Sequence, residues 1–161
     1  MARLSRLEIG KLIGCIAICE GIGLLGSVFT APAIDTWYAA LVKPGFTPPN
    51  AVFGPVWTTL YALMGVALFL VWRRGLAVPG VKPAFILFWV QLGVNLSWSI
   101  VFFGDRSILG GLVIIISLWV LVLITMLRFF RISKTAGSLL VPYLVWLSIA
   151  TALNVQIWRL N

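Results

Sequence analysis

The chain has 161 residues, 61% of them hydrophobic and only 10% charged, with a mean hydropathy of +1.10. Soluble domains run to about half apolar and a quarter charged, so this composition describes an integral membrane protein, a single domain over 1–161, and leaves almost nothing for a soluble domain. The net charge of +8 does not point to nucleic acid, because the bases stand singly or in pairs at the ends of apolar runs and never form a basic tract.

Five apolar stretches approach the roughly 20 residues that cross a bilayer as helix: 10–30, 52–72, 83–104, 108–130 and 136–158. They predict an all-α bundle of five transmembrane helices. The first begins in a way that resembles a cleaved leader, since Leu12-Ile13-Gly14-Cys15 is close to a lipoprotein processing site. Only three apolar residues separate Lys11 from Cys15, too few for a targeting core, so the run is read as a membrane span. Cys15 and Cys19 are helical neighbours poorly oriented for a disulfide, and are expected to pack as small apolar side chains. Glu20 lies near mid-span, where an ionisable group is either a functional residue or a satisfied interhelical hydrogen bond. Gly21, Gly23 and Gly26 around it permit close approach of a backbone or a flat ligand.

Between the first two spans, 31–51 reads as a lid. Linkers are normally small and polar, whereas Trp37 to Trp57 carries Trp37, Tyr38, Phe46, Phe53 and Trp57 with Pro44, Pro48, Pro49 and Pro55. Prolines stiffen the backbone, and the aromatic rings are expected to hold the cover over an apolar ligand. In the second span Trp57, Tyr61 and Met64 share a helical face.

The third span holds the clearest pattern. Gln91, Asn95, Trp98 and Phe102 recur at i, i+4, i+7 and i+11, one face of a helix. Amides in hydrocarbon need partners, so this face looks either at other helices or at a polar group on a ligand. Gly93 and Ser97, on the opposite side, form a small-xxx-small pair suited to close helix approach, either with a second copy or within the chain. In the fifth span Tyr143, Trp146 and Ala150 share a face, and Pro142 is expected to kink the helix and free the Ser138 carbonyl. Trp37, Trp72 and Trp158 fit an interfacial aromatic belt equally well.

The chain contains no histidine and only four acids. Catalytic triads with histidine, metal-ligand clusters and a haem held by an axial imidazole are therefore excluded, and no phosphate-binding glycine loop precedes a helix. No internal repeat is evident, which weakens a transporter built from duplicated halves. With the N-terminus cytoplasmic, that side collects Arg3, Arg6, Lys11, Arg73, Arg74, Lys82, Arg128, Arg131 and Lys134, against Lys43, Arg106 and Arg159 on the other. This follows the positive-inside rule and predicts N-terminus in, if the host membrane is a bacterial inner membrane.

Trp37-Tyr38 through Lys43-Pro44, Pro48-Pro49, Phe53-Gly54-Pro55-Val56-Trp57-Thr58, the Gln91–Asn95–Trp98 face ending in Phe102-Phe103-Gly104, and Pro142-Tyr143-Leu144-Val145-Trp146 followed by Leu153-Asn154 together resemble the translocator protein family of tryptophan-rich sensory proteins. The resemblance covers nearly the whole chain. It implies a five-helix bundle, commonly a homodimer, whose pocket binds porphyrins such as protoporphyrin or haem, with sterols and synthetic drugs bound by some members. The pocket positions it carries over are Trp57, Asn95, Trp98, Tyr143 and Trp146, beneath a lid from Trp37 to Pro49. Joined to the faces read above, the candidate ligand-binding set is Trp37, Tyr38, Pro44, Trp57, Tyr61, Gln91, Asn95, Trp98, Phe102, Tyr143 and Trp146, with Gly93 and Ser97 at the dimer interface. No cofactor is required and no metal is bound. A receptor or sensor is the leading reading; light-dependent porphyrin breakdown using Trp57 and Trp146, or carriage across the bilayer, are the alternatives the family implies. The animal sterol motif needs a tyrosine that Leu153 to Arg159 lacks, so sterol binding by that motif is not expected.

Overall fold

The computed structural model describes residues 5–161. Arg3, one of the bases in the topology argument, lies outside them. Five helices follow one another: α1 Arg6–Ala33, α2 Asn50–Trp72, α3 Val81–Ser99, α4 Ile108–Ile132 and α5 Lys134–Leu160. Each is long and apolar enough to cross a membrane. At about 1.5 Å per residue, α2 with its 23 residues exceeds the roughly 30 Å of hydrocarbon in a bilayer, and the third span does so over its 24 residues Val81–Gly104.

Local chemistry sets where several helices begin. Ser5 and Glu8 form a reciprocal capping box at the start of α1, and Ser107 and Ser133 accept backbone N–H groups at the starts of α4 and α5. Such caps satisfy donors that the first helical turn cannot pair internally. Ser133 is the whole connector between α4 and α5, so those two helices form a tight antiparallel hairpin.

Neighbours close a ring in the order α1, α2, α5, α4, α3 and back to α1. Arg73, just past α2, meets Glu8 of α1, and Trp57 of α2 meets Tyr143 of α5. Phe88 of α3 stacks on Phe129 of α4. Gly65 sets how tightly α1 and α2 approach: a Cβ built there would stand 2.5 Å from the Cα of Ile16, so any side chain would push the backbones apart. The alternation of helix direction brings Arg6, Lys11, Arg73, Arg74, Lys82, Arg128, Arg131 and Lys134 to one end of the bundle, and Lys43, Arg106 and Arg159 to the other.

One expectation needs correction. The first connector is shorter than 31–51, because α1 runs through Pro32 to Ala33 and continues as a π-helical turn, Ile34–Tyr38. Trp37 and Tyr38 therefore belong to a helix end and not to a loop. Pro142 lies within α5, inside the span expected to hold it. The cysteines are free and buried, as packing residues should be.

Candidate functional site

The inward face of α3 forms as its spacing predicts, with Gln91, Asn95 and Phe102 buried and Trp98 partly so. Its amides are occupied by tyrosines on two other helices. Tyr61 Oη of α2 donates to Asn95 Oδ1 (2.5 Å), Asn95 Nδ2 donates to Tyr143 Oη of α5 (2.9 Å), and Tyr143 Oη donates to Gln91 Oε1 (3.4 Å). The hydroxyls and amides form a directional chain across α2, α3 and α5. It ends at Gln91 Nε2, a buried donor with no partner among the described residues. A second such donor is the indole Trp146 Nε1. Buried polar groups are nearly always paired, so two orphans in one region mark it out.

Aromatic rings surround this chain on both sides. Trp57 stacks on Tyr61 at 5.5 Å and meets Tyr143 edge-on at 6.1 Å, while Phe53 meets Trp146 at 5.7 Å. These rings form one group between α2 and α5. The second group forms where α1 and α3 end. There α3 also finishes in a π-helical turn, Ile100–Gly104, and its wider winding sets Phe102 and Phe103 against Trp37 and Tyr38, at ring separations from 5.4 to 6.4 Å. Trp98 joins the groups. Its ring stacks on Phe102 at 5.0 Å, and its Nε1 donates to Asn154 Oδ1 at 3.3 Å. Asn154 Nδ2 in turn donates to the carbonyl of Ile108.

The connector over this end is held by polar contacts. Lys43 Nζ donates to the carbonyls of Tyr38, Leu41 and Ala39, at and just beyond the end of the π-helical turn, and lies 4.8 Å over the Tyr38 ring. Asn161 grips Val42 by both its N–H and its carbonyl, each at 3.0 Å. Pro44 contributes a turn, its carbonyl accepting from Thr47. Phe46, expected to hold the cover down, is 54% exposed.

The structure thus brings Trp57, Tyr61, Gln91, Asn95, Tyr143 and Trp146 together at mid-bundle, with Trp37, Tyr38, Trp98 and Phe102 toward the connector and Pro44 within it. Phe53, Phe103, Asn154 and Asn161 join this region without having been singled out as site residues. Asn154 could have been found from its helical spacing, being eleven residues, about three turns, beyond Tyr143. Glu20 is partly exposed and makes no hydrogen bond among the described residues, so of its two readings the satisfied interhelical bond is absent there. Gly93 faces outward, with nothing within 4 Å of a Cβ built on it. No group of three or more potential metal-binding side chains occurs among the described residues.

The sequence pattern described as the TspO/MBR family matches residues 15–159. The chain is 47% identical over 154 residues to the tryptophan-rich protein TspO of Chlorobaculum tepidum, covering 96% of this chain and 98% of that one. Against the translocator protein of Homo sapiens it is 40% identical over 139 residues, 85% and 82% of the two chains. Against the tryptophan-rich sensory protein of Cereibacter sphaeroides the figures are 39% over 127 residues, 79% and 78%. The five membrane-spanning helices and this match through nearly the whole chain agree, and the chain belongs to the TspO/MBR family.

Proposed function

We propose that the protein is a membrane receptor for flat, largely apolar molecules of the porphyrin class, bound among Trp57, Tyr61, Asn95, Tyr143 and Trp146 beneath the first connector. The observation that carries this reading is the pair of buried, unpartnered donors, Gln91 Nε2 and Trp146 Nε1, inside a cluster of tryptophan and tyrosine rings. Ring faces stack on a macrocycle, and an indole N–H without a partner suits an acceptor on its edge. Trp57 is stacked on Tyr61, so the rings must part to admit such a ligand, and the connector held by Lys43 and Asn161 is the natural cover. With no histidine in the chain, iron in the ring would find no imidazole, and free-base protoporphyrin binds at least as well as haem.

Protoporphyrin titrated against tryptophan fluorescence, in light and in darkness, tests this. Trp146→Ala removes a large aromatic contact and weakens binding by about 1–3 kcal/mol, whereas Trp146→Phe keeps ring area and loses less. Affinity unchanged in Trp146→Ala overturns the site. Stable binding in both conditions fits a receptor; loss of the porphyrin band only in light, and only with Trp57 and Trp146 intact, identifies a degrading enzyme instead, and uptake into sealed vesicles a carrier.

The same reading has the N-terminus cytoplasmic in a bacterial inner membrane and two copies meeting through α3 at Gly93 and Ser97. Gly93 is open to the outside, and Gly93→Leu with Ser97→Leu yields monomers in mild detergent that still bind protoporphyrin. A dimer that persists places the interface elsewhere.

A further inference from the structure

At the base-rich end, α1 separates from α3. It is pinned to α2 where Ile16 meets Gly65, and to α3 where a Cβ on Gly26 would lie 3.1 Å from Ser99 Oγ; at Gly10 and Gly14 a Cβ would meet nothing within 4 Å. The wedge so opened is a groove of about 450 Å³, floored by Leu68 and Trp72 of α2 and walled by Phe85 and Trp89 of α3. Its polarity is graded along α1. Arg6 and Lys11 stand at the mouth and Ile18 at the inner end, about 18 Å from Arg6 at the helical rise, close to the roughly 15 Å of one leaflet's hydrocarbon.

Among the described residues, neither base at the mouth forms an ion pair. Glu8, the one acid at this end, is taken by Arg73 at 3.2 Å. Lys11 Nζ instead lies 5.0 Å over the Trp72 ring, an attraction that leaves an ammonium free to meet an anion. A second copy of the chain would bring its own bases to this mouth, so like charges oppose that occupant.

We propose that this groove binds an anionic phospholipid of the surrounding bilayer, with its phosphate-bearing headgroup at Arg6 and Lys11 and one acyl chain along Gly10, Gly14 and Ile18. Both halves of the lipid are recognised. Zwitterionic lipids share the tail but set a cation beside the bases, and soluble phosphate esters share the anion but lack the tail. The site lies apart from the aromatic cluster and is independent of what that cluster binds.

Native mass spectrometry of the full chain, equilibrated in non-ionic detergent with equal amounts of phosphatidylglycerol and phosphatidylcholine, provides the test. The protein retains one phosphatidylglycerol with a preference on the order of tenfold, as two bases near a lipid anion would give. Arg6→Gln with Lys11→Gln abolishes the preference, and Gly10→Leu with Gly14→Leu abolishes retention while keeping every base. Arg128→Gln with Arg131→Gln, at the same end but outside the groove, changes neither, and excess glycerol phosphate displaces nothing. On the unaltered groove, phosphatidylglycerol brominated in its chain quenches tryptophan fluorescence more than brominated phosphatidylcholine, and Trp72→Phe with Trp89→Phe removes the excess. Equal loss in the Arg128/Arg131 variant assigns the preference to diffuse surface charge, displacement by glycerol phosphate assigns it to a headgroup-only anion site, and retention in the leucine variant or equal quenching by the two lipids removes the tail from the groove; each overturns the proposal.

Discussion

At the level of Asn95, polar side chains from three helices answer one another: a tyrosine donates to an amide, the amide to a second tyrosine, and that tyrosine to Gln91. At the base-rich end, Arg73 finds Glu8 while Lys11 rests on a ring and the small side chains of α1 face open space. The first region is a closed network whose members depend on one another; the second is a set of separate groups on a wedge. In a low-dielectric interior a network of this kind is costly to break at any one point, whereas single groups at a membrane surface can be changed one at a time. The difference separates residues that hold the bundle together from residues that are free to meet something else.

The largest effect should follow from Asn95→Leu, which leaves the Tyr61 and Tyr143 hydroxyls without the amide they share. Each buried group deprived of its partner costs about 1–3 kcal/mol, so the thermal midpoint in detergent falls sharply. Tyr61→Phe, which removes one donor and leaves the Asn95–Tyr143 bond, falls less. Lys11→Gln leaves the midpoint near that of the parent. If Lys11→Gln destabilises as much as Asn95→Leu, the two regions are not different in kind.

Glycines sharpen the same contrast. A Cβ on Gly65 collides with the Ile16 backbone, which cannot swing aside as a long side chain can, and overpacking of this sort costs about 1–3 kcal/mol. At Gly14 the space is open, and alanine is the better helix former by about 1 kcal/mol. Gly65→Ala should therefore lower the midpoint and Gly14→Ala leave it unchanged or raise it, read side by side in the same detergent. Equal losses would mean that α1 lies as close to its neighbours at Gly14 as at Gly65.

Much of the closed network could be read from spacing. Gln91, Asn95, Trp98 and Phe102 recur with the helical period, and Tyr61 and Tyr143 stand out as hydroxyl-bearing rings on apolar faces. What spacing could not supply was the partner. In this structure both amide atoms of Asn95 are engaged by tyrosines, while Gln91 Nε2 has no partner among the described residues. The end of α1 lies beyond the apolar stretch 10–30, because the helix runs on through Pro32 to Ala33 and into the π-helical turn Ile34–Tyr38. Lys43 reads as a topology charge, but the carbonyls it meets are brought within its reach only by the π-helical turn that ends at Tyr38. The π-helical turns, which rotate Phe102 and Phe103 toward Trp37, leave no mark in hydrophobic periodicity. The groove was hidden for a related reason: Gly10, Gly14, Trp72 and Trp89 each look like packing or belt residues until three helices place them side by side.

The smallest effect concerns the connector over the aromatic end. Asn161 holds Val42 by two hydrogen bonds and its own helix by a third, to the Ile157 carbonyl at 2.8 Å. Val42 is 119 positions away in sequence, so this tie closes the cover against α5 in a way no local pattern could announce. Both residues are exposed, and water replaces part of what is lost, so Asn161→Ala should cost no more than about 1 kcal/mol of global stability. Its local effect is larger. The Val42 amide loses its acceptor and should exchange with solvent on the order of tenfold faster, as expected where a segment opens alone, while amides from Gly10 to Ile18 at the opposite end keep their rates. A cover loosened in this way admits and releases ligand faster, so association and dissociation rates for protoporphyrin rise together and the affinity changes little. If the Val42 amide exchanges no faster in Asn161→Ala, the connector is held by Lys43 alone; if affinity falls with unchanged rates of entry, Asn161 acts on the bound state and not on the cover.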